Sequence, residues 1–152
     1  VYQYSDRPEK AKTHYERALE LQTESFGPDH PEVASTLYNL GDTWMTLNAP
    51  DRALVCYERA LPIYEKTYGA DHPWVGDAVE NIAKAGALVG DDIKALAHFE
   101  RALVMRESQF GADDPGILAC LDGLAAVLNR LGREKESREV RERAETIRSA
   151  SG

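Results

Sequence analysis

The sequence has few of the residues that most often carry chemistry. Its 152 residues hold two cysteines, two methionines, two tryptophans and three phenylalanines. Cys56 and Cys120 lie far apart and show no metal-ligand spacing, which argues against a zinc site or a disulfide scaffold. They read as reduced, buried, small apolar residues and favour an intracellular setting. No apolar run approaches the ~20 residues of a membrane-spanning helix, and none has the form of a secretory signal. Positive charge is the minority sign: 18 Lys and Arg stand against 26 Asp and Glu, a net charge of −8. That balance disfavours nucleic acid and anionic membranes as partners and favours basic or neutral ones. No nucleophile with its base, phosphate-binding loop or paired-carboxylate site stands out. No catalytic residue, cofactor or metal is therefore expected, and the chain is not expected to be an enzyme.

What the sequence has is repetition. FGPDHPEVA (Phe26–Ala34) returns as YGADHPWVG (Tyr68–Gly76) and as FGADDPGIL (Phe110–Leu118), each time 42 residues further on. HYERALEL from His14, CYERALPI from Cys56 and HFERALVM from His98 repeat at the same interval, with VRERAETI from Val140 a faded fourth copy. Between them lie LYNLGDTWMTL, VENIAKAGALV and LDGLAAVLNRL, starting at Leu37, Val79 and Leu121. A fixed period of this size marks stacked supersecondary units.

The periodicity inside each unit is helical. Leu37, Leu40, Gly41, Trp44 and Leu47 form one stripe, and Ala53, Tyr57, Ala60 and Leu61 another. Asn48, Gly90 and Gly132 fall just past one set of helices, and Gly27, Gly69 and Gly111 just past the other, where a left-handed residue is wanted. Pro31, Pro73 and Pro115 suit a first helical turn. Asp29, Asp71 and Asp113 or Asp114 are expected to cap it. The triplets containing His30 and His72 thus read as corners rather than as a metal site. Seven helices are expected, over 8–26, 32–47, 50–68, 74–89, 92–110, 116–131 and 134–149. Val1 to Tyr4 read as the end of a lost partner helix, and Pro62 is expected to bend or loosen its helix.

In its Leu37-x-x-Leu40-Gly41, its Ala53-x-x-x-Tyr57-x-x-Ala60, its Glu-Arg-Ala-Leu and its Gly-x-Asp-His-Pro, the chain resembles tetratricopeptide repeats, and more narrowly the 42-residue type of kinesin light chains. The resemblance covers essentially the whole chain. It implies an all-α, right-handed superhelical solenoid of antiparallel helix pairs. Residues 1–30 would be a partial repeat, 31–72 and 73–114 full repeats, and 115–152 a C-terminal capping repeat, all within a fragment of a longer protein. The cap is where the pattern fades: Ser137 replaces the Ala of Ala53 and Ala95, Arg141 the aromatic of Tyr57 and Phe99, and Glu145 the Leu. At the other end Tyr15, Ala18, Leu19 and Leu21 would dock onto further repeats.

The resemblance also implies a function, that of a cytoplasmic protein-interaction scaffold whose concave groove captures an extended peptide. Asn39 and Asn81 match the family's peptide-binding Asn, and Gly123 breaks that series. One amide offers donors and an acceptor to any peptide unit. Tyr38, Asp42, Met45, Glu80, Lys84 and Asp122 would set preference around them, with Asp77 a further acid and Trp74 an interface anchor. The expected partner is a peptide of basic character bound by a monomer. One alternative is an architectural spacer or a segment that self-associates through its N-terminal end; another is a catalytic accessory domain.

Overall fold

A computed structural model describes residues 6–152, so the expectation for Val1 to Tyr4 lies outside the described residues. Among the described residues there are seven helices: α1 (Asp6–Phe26), α2 (Pro31–Thr46), α3 (Pro50–Tyr68), α4 (Pro73–Val89), α5 (Asp92–Phe110), α6 (Leu118–Arg130) and α7 (Glu134–Ala150). A 3₁₀ turn, Pro115–Ile117, precedes α6. No strand occurs among the described residues. The chain divides into two compact units, Val1–Ala78 and Val79–Gly152, with the boundary inside α4.

In the first unit α2 packs against α1 and α3. Leu37, Leu40 and Trp44 of α2 are buried, as are Ala53, Tyr57, Ala60 and Leu61 of α3. Gly41 lets the two helices close up: a Cβ there would come within 2.6 Å of the Tyr57 ring. In the second unit Ala83, Ala95, Phe99, Leu124, Val127 and Leu128 form one core, and Ile117, Leu121, Ala144 and Ile147 another. Ser137 is buried where the other repeats carry Ala, and its hydroxyl donates to the Ala125 carbonyl at 2.7 Å, so the buried oxygen is satisfied. Arg141 and Glu145 are exposed, which leaves α7 apolar along one stripe and charged elsewhere.

The helix ends correct two expectations. The two glycine columns differ. Asn48 has φ 56°, within the left-handed region that Asn tolerates. Gly69 and Gly111 instead combine φ 93° and 107° with ψ 154° and 157°, a region open essentially to glycine alone. That is why Asn appears in one column and never in the other.

At α2 and α4 the cap is the histidine directly before proline rather than Asp29 or Asp71, and before α6 it is Asp114, one of the two acids expected there. His30 Nδ1 accepts from the Glu32 N–H at 3.2 Å, His72 Nδ1 from Trp74 at 3.1 Å, and Asp114 Oδ1 from Gly116 at 2.7 Å. With proline at the first helical position, only its predecessor occupies the cap position. Replacing His30 by Ala is expected to lower stability by about 1 kcal/mol, while His30→Asp retains the cap. Urea unfolding of the two variants checks this, and an equal loss in both would refute the capping role.

Pro62 does not interrupt α3, which runs unbroken from Pro50 to Tyr68. The proline ring lies on the exposed side of the helix, so the bond it removes faces water.

Candidate functional site

Asn39 stands on the solvent side of α2, four residues before Thr43, whose hydroxyl donates to the Asn39 carbonyl at 2.9 Å. Its own amide is exposed and makes no side-chain hydrogen bond among the described residues. Two depressions of the first unit share it as a rim. One, about 260 Å³, is lined by Ser35, Tyr38, Asn39, Tyr64, Trp74 and Asp77. The other, about 400 Å³, is lined by Arg7, Pro8, Ala11 and Tyr15 of α1 and by Asn39, Asp42, Thr43 and Thr46 of α2.

The expected groove residues fall into distinct environments. Tyr38, Asn39 and Trp74 meet in the first depression. Asp42 joins Asn39 in the second, where its Oδ1 accepts the Tyr57 hydroxyl at 2.6 Å. Burial and then this hydrogen bond push the Tyr57 phenol far up. Met45 is half-buried and lines neither depression.

In the second unit Asn81 and Lys84 are half-buried. Glu80, expected to face a ligand, is only 7% exposed. Its carboxylate accepts from Arg106 at 2.9 Å and pairs with Lys84 Nζ at 2.6 Å. Burial pushes the Glu80 carboxyl up, but the hydrogen bonds and charges of Lys84 and Arg106 outweigh it and hold the group below the usual carboxylate value. Asp122 is exposed yet paired with Arg148. The acids at 80 and 122 therefore stitch helices together rather than wait for a partner.

A regularity in these pairs lies in the sequence itself. Tyr38–Tyr64, Glu80–Arg106 and Asp122–Arg148 each join a residue to the one 26 positions later, aromatic to aromatic or acid to base. The second members, at 64, 106 and 148, also recur every 42 residues. Matching the two columns would have found Tyr64 and Arg106, which helical periodicity alone did not.

Neither cysteine is poised for reaction. Burial pushes the Cys56 thiol up to about 11. Burial and then the Glu80 carboxylate push Cys120 up to about 12. Both are free, buried thiols. No group of three or more His, Cys, Asp or Glu among the described residues could hold a metal. No described helix is long and apolar enough to cross a membrane.

The family described as Tetratricopeptide repeat matches residues 1–66 and 78–150. The chain belongs to the tetratricopeptide repeat family. Among solved structures it is similar to BtubC (BKLC) from P. vanneervenii, with a TM-score of 0.84 and 25% identity over 96% of this chain. It spans 58% of that protein. It is also similar to nearly identical TPR-like repeats of a Podosopora anserina protein described as a kinesin light chain (TM-score 0.78, 20% identity, 99% of this chain and 71% of that one). A point variant of those repeats gives 0.65 and 17% over 99% of this chain and 91% of that one. No curated protein matches. Tetratricopeptide repeats generally mediate protein–protein interaction.

Proposed function

We propose that the chain is a non-catalytic, cytoplasmic interaction module that captures an extended segment of a partner protein along α2, with the Asn39 amide holding the partner's backbone. The observation that carries this reading is the exposed Asn39 amide, which makes no side-chain hydrogen bond among the described residues and forms the rim shared by two depressions. Such an amide can give to a peptide carbonyl and accept from a peptide N–H whatever side chain the partner carries. Tyr38 and Asp42 flank it and set preference. Asn81 stands in the matching column of its own repeat but is half-buried. The net charge of −8 favours a partner of basic character. The two free thiols support the cytoplasmic setting.

The test is a display selection of random and proteomic peptides against the wild type and Asn39→Ala, matched first for helicity. Enriched peptides are expected to bind the variant about 10-fold more weakly, as two hydrogen bonds to backbone imply. Equal affinity for the same peptides, or no enrichment at all, would overturn the reading.

A further inference from the structure

The smaller depression of the first unit has a composition that capture of backbone does not require. Tyr64, 5% exposed, forms its floor. Tyr38 stands with its ring centroid 6.3 Å from that of Tyr64, and Trp74 with its centroid 6.1 Å away on another helix. The rings are tilted to one another by 52° and 50°, so they present several faces to the cavity rather than one stack. Trp74 is 48% exposed and is braced edge-on by Tyr68 at 4.9 Å and His72 at 5.3 Å. The Asp77 carboxylate completes the lining.

We propose that this depression binds the protonated side chain of a lysine or arginine in the partner segment, an assignment that rests on the peptide reading above and names the partner's chemistry. Ring faces carry negative quadrupole charge and attract cations, most strongly at Trp. Asp77 adds a full negative charge. Burial raises the Tyr64 phenol above its ordinary value, the hydrogen bond to Ser35 opposes this, and Tyr68, Asp42 and Asp77 add to the rise. About 260 Å³ is small for a drug-sized ligand and suits one side chain. Asn39 borders the same cavity, so one partner segment can lay its backbone on the amide and drop a basic side chain beside it. A purely apolar side chain would fill the aromatic part but gain nothing from the charge of the ring faces or of Asp77.

The Trp74 indole N–H resonance of the full chain, told apart from that of Trp44 by Trp74→Phe, reports on the pocket directly. Nα-acetyl-lysine methylamide is expected to shift it saturably, and Nα-acetyl-norleucine methylamide, of similar length without the charge, to leave it in place. Asp77→Asn is expected to weaken the lysine probe about 5-fold, equivalent to about 1 kcal/mol. Equal shifts with both probes, or none with lysine, overturn the proposal. The peptide selection separates the two failures. Asn39-dependent peptides without a basic residue sink the cation pocket and leave the peptide reading standing. A lysine-dependent Trp74 shift without any Asn39-dependent peptide sinks the peptide reading and leaves the pocket.

Discussion

Phe99→Ala is expected to lower the stability of the second unit by about 3–5 kcal/mol, the usual loss for a large aromatic removed from a packed core. The Phe99 ring is 2% exposed and packs with Ala83, Ala95, Leu124, Val127 and Leu128. Small residues on α4 and α5 let the helices approach, and the ring fills what remains. Gly123 is part of the same fit, since a Cβ at that position would run into the Phe99 ring. Gly123→Ala therefore sets about 1–3 kcal/mol of overpacking against the roughly 1 kcal/mol that Ala gains over Gly in a helix. The net is a loss. Adding Phe99→Leu to Gly123→Ala is expected to cost less than the two single changes together, because the smaller side chain vacates the space the methyl needs. Urea midpoints for the four proteins measure this. A loss below about 1 kcal/mol in Phe99→Ala would show that the ring is not the centre of the core.

Glu80→Ala should cost about 3 kcal/mol, because it leaves the mostly buried Arg106 guanidinium, 13% exposed, without its carboxylate. Lys84 is more open and loses less. If the pair is the cause, Arg106→Leu will cost much less in a Glu80→Leu background than alone, and a double-mutant cycle will show strong coupling. The pH dependence follows from the sign of the shift. The folded carboxyl lies below its ordinary value of 4.5, so the ionised form favours the folded state. Its contribution is fully present above pH 4.5 and disappears as pH falls through the lower folded value. Glu80→Gln has nothing to titrate there, so its stability is expected to fall less steeply below pH 4.5 than that of the wild type. Parallel acid limbs in the two proteins would remove Glu80 from the account.

The helices were legible because their punctuation repeats. Glycine or asparagine closes one helix after another and proline opens several of them, so each begins and ends within about two residues of where the sequence places it. The start of α6 comes late, because Gly116 stands in the column of Glu32 and Trp74 and the first turn tightens to 3₁₀. Two of the three caps were misplaced, because residue preference suggested Asp29 and Asp71 whereas the position of proline decides; Asp114, directly before Pro115, was expected. Asn39 was singled out through the family resemblance, and it stands exposed on α2 beside the buried stripe of Leu37, Leu40 and Gly41. Glu80 was not legible as a buried ion pair, since its fate depends on Arg106 in another helix, and helical spacing describes one helix at a time. Tyr64 was missed for the same reason. Its stripe reads as core, and so it is, but its ring also floors a depression that opens beside Trp74.

The corners before α2, α4 and α6 ask only for a lone pair aimed at the second helical N–H. Imidazole supplies it at His30 and His72, and carboxylate at Asp114. An exchange between the two keeps the helix start while adding or removing a negative charge. The long-range field of the array can therefore drift, one corner at a time, without disturbing the hairpins that carry it. Folding and electrostatic reach are separate dials at these positions, and a chain of this kind can be retuned for a partner of different charge while its architecture stays fixed.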